Sequence, residues 1–136
     1  MKFPTVGGCL CRAVRYEITE PPKLNGLCHC RSCQYSTGSS YFPFLAVLTT
    51  ALDVSGEITW YESIGFSGNK INRGFCTKCG STLFGKPGVL PHIITVSASS
   101  LDDPSEYKPE MSVWVEDAQS WCLSNSELKK FDQNPF

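Results

Sequence analysis

The alternation of apolar and polar positions along the chain predicts short strands rather than helices. Residues 13–18 (AVRYEI) place β-branched and aromatic side chains in rough alternation, and residues 57–64 (EITWYESI) repeat that pattern after a turn at Ser55 and Gly56. Residues 41–48 (YFPFLAVL) form a buried-type apolar run. Pro43, which has no N–H for a ladder, assigns that run to a sheet edge or a bulge. Residues 92–97 (HIITVS) and 111–116 add further short strands, and nine prolines with eleven glycines suit the frequent turns between them. Helix signals are confined to a short turn after Cys33 and a C-terminal segment, where Ser124 and Glu127 match a capping box ahead of Leu128 and Phe131. The expected fold class is mainly β, with little helix.

Length and composition narrow the setting. A chain of 136 residues fits one domain, 1–136, and it contains no repeat, low-complexity tract or linker; residues 104–109 (PSEYKP) read as a surface loop. With 41% hydrophobic and 18% charged residues the chain should fold. Twelve Lys and Arg against thirteen Asp and Glu leave a net charge of -1, which excludes the basic footprint of a nucleic-acid binder. Neither a signal-peptide core nor a run of ~20 apolar residues is present, so a soluble cytoplasmic protein without a membrane partner is expected.

The eight cysteines carry the chemistry, because seven of them are clustered. Cys9 and Cys11 form C-x-C, Cys28, Cys30 and Cys33 form C-x-C-x-x-C, and Cys76 and Cys79 form C-x-x-C. A tetrahedral zinc ion with Zn–S of ~2.3 Å takes two sulfurs from one tight turn, whereas a disulfide framework has no need of thiols two or three residues apart. A reducing compartment would also leave the thiols free for metal. Cys122, alone beside Trp121, reads as a small buried hydrophobe. The many short strands promise only a modest core, which a structural metal would reinforce.

A structural zinc site closes with four protein ligands, and Cys9, Cys11, Cys76 and Cys79 supply them. Cys28, Cys30 and Cys33 then remain as three thiolates without an obvious fourth, the pattern of a catalytic zinc with an open position. Two zinc ions per chain are expected. His29, wedged between two of those ligands, suits a structural or supporting role better than ligation. Three thiolates make the ion a poor activator of water but leave it suited to binding an exogenous thiol, which loses its proton and stays nucleophilic. Nucleobase deamination would need a Glu shuttle beside the first ligand and a later P-C-x-x-C; the chain reads CHC and FCTKC instead.

Four blocks together, GGCLCRAVRYE, CHCRSCQYSTGSSYF, GFCTKCGSTLF and SLDDP, resemble the glutathione-dependent formaldehyde-activating enzyme family, which includes the centromere protein V group. The resemblance runs over about residues 7–121 in the same order. It implies a β-tent fold of small antiparallel sheets around a structural zinc at Cys9, Cys11, Cys76 and Cys79, with a catalytic zinc at Cys28, Cys30 and Cys33. It also implies a carbon–sulfur lyase that adds glutathione to formaldehyde, giving S-(hydroxymethyl)glutathione. The departure from the family is near Met111 and Ser112, where many relatives carry a His and this chain has none. The alternative reading is a non-catalytic zinc-binding β-tent module that binds a protein partner.

Glutathione carries two carboxylates, and Arg31, Lys70 and Arg73 are the cations nearest the triplet in sequence, although each such residue is more often a solvated surface charge than a substrate contact. Trp60, Trp114 and Trp121 read as core or strand packing rather than as a ligand pocket. His92 reads as structural, and Asp102 and Asp103, ahead of Pro104, as turn formers.

Overall fold

The computed structural model describes residues 1–122 and 128–136. Along the chain it contains β1 (Thr5–Gly8), β2 (Arg15–Ile18), β3 (Leu24–Cys28), the helix α1 (Arg31–Thr37), β4 (Phe42–Leu48), β5 (Leu52–Ser55) and β6 (Ile58–Ile64). There follow β7 (Lys70–Cys76), β8 (Thr82–Pro87), β9 (Ile93–Ser97), β10 (Met111–Val113) and β11 (Lys129–Lys130). Single 3-10 turns join several of them. The mainly β reading holds, and α1 is the one α-helix among the described residues.

β1, β2 and β5 form a three-stranded sheet, and the other eight strands form a second sheet in the order β11-β10-β3-β4-β9-β8-β7-β6. All the ladders are antiparallel except those β10 makes with β3 and β11. The sheet edge expected at residues 41–48 is therefore a correction: β4 lies between β3 and β9, and β11 and β6 are the edges. Pro43 is accommodated because it pairs with Leu27 on one side, while pairing with β9 begins only at Phe44, opposite Ser97. At that one position the strand has a single neighbour, the condition an edge strand offers.

The continuous apolar run of β4 has a second consequence. Side chains alternate across a strand, so an interior strand covered on both faces needs apolar residues at every position. Leu45 and Val47 enter one core with Val14, Tyr16 and Ile18 of the small sheet side and with Leu83, Ile94 and Val96. Phe42, Phe44 and Ala46 point the other way, into a second core with Ile93, Val113 and Trp114. Cys9, Cys76 and Cys79 belong to the first core; Cys28, Cys30 and Cys33 belong to the second. The two cysteine groups are thus sorted to opposite faces of the same strands.

The helix expected near the C-terminus is the other correction. Ser124 and Glu127 lie outside the described residues, but Lys129–Lys130 is a strand parallel to β10, and Phe131 donates its N–H to the Ser112 carbonyl. The ladder takes the backbone groups that a helix would have used. Trp121 is also corrected: it is 65% exposed, whereas Trp114 is buried and Trp60 stacks on Phe84. Cys122 is half-buried, with the Ser40 hydroxyl 3.3 Å from its sulfur. His92 is exposed and serves through its backbone carbonyl, which accepts from Thr49. Asp103 accepts from the Ser105 N–H at 3.0 Å, as a turn former should, and Asp102 pairs with Arg15.

Candidate functional site

The first cysteine group is built from two tight turns. Cys9 and Cys11 follow β1, where the Arg12 N–H returns to the Cys9 carbonyl and Arg12 itself has a φ of 67°. Cys76 ends β7, and a turn closed by the Gly80 N–H on the Cys76 carbonyl presents Cys79 beside it. Gly80 has a φ of 74°, a left-handed conformation that favours glycine. The four sulfurs lie within 4.8 Å of one another, with Cys9 to Cys11 at 3.5 Å and Cys11 to Cys76 at 3.8 Å. A tetrahedron of sulfurs at ~2.3 Å from a central ion has edges of about 3.8 Å, so this donor set fits zinc. Ser81, which sequence reasoning passed over in GSTL, ties the two turns: its hydroxyl accepts from the Leu10 N–H at 3.0 Å and lies 3.1 Å from the Cys79 sulfur. That hydroxyl, with backbone bonds, holds the Cys79 thiol down at about 5.

The second group forms where β3 runs into α1. Cys28 ends the strand, Cys30 is the helix N-cap and accepts from the Cys33 N–H at 3.3 Å, and Cys33 sits one turn in. A helix this short does not hold itself in water. Gln34 anchors it by donating to the carbonyls of His29 at 2.7 Å and Asp117 at 3.1 Å, and Gly38, with a φ of 69°, closes its end. The three sulfurs also lie within 4.8 Å of one another, and the group offers three ligand atoms among the described residues. Bonds from the Cys28 and Cys33 thiols, against the cost of burial, bring Cys30 down to about 3, while Cys28 is driven well above its ordinary value by its bond to Cys30. One thiolate thus forms readily and resists a second beside it. A cation is what would let all three ionise together.

His29 is not part of this cluster. Its ring is buried, 3.3 Å from the Ser112 hydroxyl through Nε2 and edge-on to Tyr41, and burial pushes its pKa down. Ser112 therefore occupies a packed position against His29.

Of the three cations singled out from sequence, Arg73 comes nearest to the sulfurs. It projects from β7, is half-buried, donates Nη1 to the Ser63 hydroxyl at 3.3 Å and brings Nη2 to 3.9 Å from the Cys33 sulfur. Lys70 lines the same opening but is mostly exposed and lies 3.6 Å from Glu62. Arg31 turns away, stacking on Tyr35 and bonding Gln34. The opening has a volume of about 140 Å³ and reaches all three cysteines, with Asn69, Lys70 and Arg73 on its rim and Trp114 in its wall. Trp114 is held by its indole N–H on Asn134 at 3.0 Å, which also fixes the C-terminal segment as a wall.

The model of the glutathione-dependent formaldehyde-activating enzyme family matches residues 4–117, and the chain belongs to that enzyme family. A crystal structure of a Rhodobacter sphaeroides protein shares the fold with a TM-score of 0.58 and 23% sequence identity, covering 76% of this chain and 91% of that one. Among curated proteins, none matches this chain. No helix among the described residues is long and apolar enough to cross a membrane.

Proposed function

We propose that the protein is a zinc-dependent carbon–sulfur lyase that joins a thiol, glutathione first, to a small carbonyl such as formaldehyde, giving S-(hydroxymethyl)glutathione in a reducing cytoplasm. Cys9, Cys11, Cys76 and Cys79 would hold a structural zinc, and Cys28, Cys30 and Cys33 a catalytic one. The observation that carries this reading is the convergence of three sulfurs at the floor of an opening, where a closed site would present four. When bound there, zinc supplies an open position at which a thiol gives up its proton yet remains nucleophilic.

The chain's own residues do the rest. Arg73 and Lys70 on the rim suit the carboxylates of glutathione, Arg73 through a planar guanidinium that can take a carboxylate by two parallel bonds. Gln34 keeps α1, and hence Cys33, against β3 by its two carbonyl contacts. Trp114 and the Asn134 segment restrict water at the opening, which strengthens charge interactions inside it.

Metal analysis and NMR exchange spectroscopy test the reading. We expect two zinc ions per chain and faster exchange between free formaldehyde and its glutathione adduct, with the acceleration lost in Cys30→Ser. Two bound zinc ions without acceleration for formaldehyde or any larger aldehyde would overturn it in favour of a non-catalytic module.

A further inference from the structure

Beside Cys28 and Cys33 lies a second, half-open pocket of about 170 Å³, the inner one in that it is lined by the buried face of β4. Its walls are Phe42, Phe44 and Ala46 of β4, Ile93 of β9, and Leu24 and Leu90. It is continuous with the outer opening, the two sharing Cys28, Cys33, Ile71 and Arg73 together with Pro87 and the C-terminal Asn134 and Phe136, so both reach the sulfurs. Lys70 and Asn69 line only the outer one. The inner space exists because small residues face it: Ala46 stands where its neighbours on that face of β4 are Phe44 and Leu48, and Gly85 lies across from Thr95.

A one-carbon carbonyl leaves most of this volume unfilled, and away from Arg73 at its mouth the walls of Phe42, Phe44, Ala46, Leu90 and Ile93 offer a carboxylate no partner. An apolar cavity of ~150 Å³ lined by Leu, Ile and Phe takes up benzene, which sets the size of guest that such a lining accepts. We propose that the carbonyl partner is an aldehyde bearing an apolar group about the size of a benzene ring, which sits in the inner chamber while the thiol enters from the outer one. The inference rests on the carbon–sulfur reading above and names its second substrate. The reaction balances without an oxidant: the thiol sulfur bonds to the carbonyl carbon, the π pair of C=O moves to oxygen, and the proton lost by sulfur ends on that oxygen.

The test uses the zinc-loaded full chain and benzyl alcohol, which matches benzaldehyde in shape and forms no thiol adduct. We expect saturable amide shifts at Phe42, Phe44, Ala46 and Ile93, and binding weakened by about tenfold or more in Ala46→Phe, which fills the chamber. If that variant does not fold, the shift map of the unaltered protein decides alone. In parallel, acceleration of adduct exchange with glutathione should favour benzaldehyde over formaldehyde by about tenfold or more. Accelerated exchange with formaldehyde but no shifts from benzyl alcohol overturns the chamber assignment and leaves the carbon–sulfur reading standing. Shifts from benzyl alcohol with no accelerated exchange of either aldehyde overturn the carbon–sulfur reading, and with it the identity of the guest as a carbonyl.

Discussion

Replacing Arg73 by Met keeps the length and much of the apolar stem of the side chain while removing its charge. Arg73 is half-buried, fixed by Ser63 and aimed at Cys33, so a carboxylate in the outer opening would meet an ordered guanidinium rather than a waving one. A hydrogen bond to a charged group contributes about 1.5–3 kcal/mol, and partial exposure with ordinary salt favours the lower end. At 1.4 kcal/mol per factor of ten, the expected loss is about 10- to 30-fold in the KM for glutathione, with kcat changed by less than about threefold. The assay is adduct exchange by NMR on zinc-saturated protein, run with glutathione and with 2-mercaptoethanol, which has no carboxylate. The variant should lose its advantage with the first thiol and behave nearly as the parent with the second. Raising ionic strength should erode the parent's preference for glutathione and leave the variant's unchanged. An equal loss with both thiols would refute the carboxylate grip and assign Arg73 to the cysteine cluster itself.

Three further outcomes are expected. Cys30→Ser should reduce bound zinc from two ions to one with the circular dichroism of the fold retained, whereas Cys76→Ser should cost the fold its cooperative unfolding transition, read by thermal melting. Leu83→Ala, at a side chain with no exposed surface and in the core opposite the triplet, should lower unfolding free energy by about 2–5 kcal/mol in urea without changing zinc content. The hydrogen bonds from Arg15 hold the Asp102 carboxyl below its ordinary range. The unfolded chain therefore takes up that proton first as pH falls, so the pair's stabilisation is full above the ordinary carboxylate value and is lost as pH drops through the folded one. Asp102→Asn should remove that slope from the difference between the two melting curves below pH ~4, by a small amount because the pair is partly exposed.

Cysteine spacing made the two clusters legible in the sequence because thiols two or three residues apart report local geometry, and local geometry survives folding. The pairing of residues 9–11 with 76–79 followed from counting to four sulfurs. Strands with alternating or β-branched character, such as Glu57 to Ile64, were also legible, whereas Leu24 to Cys28 (LNGLC) and Lys70 to Cys76 (KINRGFC) carry no such rhythm and owe their strand state to their neighbours. Pro43 misled about the edge, since the chain's local content cannot say at which residue a neighbouring ladder starts. The capping pattern at Ser124 and Glu127 lies outside the described residues; beyond it, the ladder that β10 offers makes Lys129–Lys130 a strand where a helix was expected. The inner chamber was invisible for a different reason: it is defined by what Ala46 and Gly85 leave unfilled, and an empty volume has no residue of its own.

Once loaded with metal, the four-sulfur cluster would fasten positions 9 and 11 to positions 76 and 79, and the whole three-sulfur cluster lies on the stretch between. Topologically, a metal-loaded four-sulfur site would be a buckle, with the three-sulfur centre on the belt it closes. Closing a loop of that length restricts the unfolded chain far more than any single turn does. Releasing the buckle should therefore silence chemistry on the far face of the sheet while every group that performs it is still present, so a lesion at Cys9 or Cys79 would be scored as an active-site defect unless metal were counted site by site.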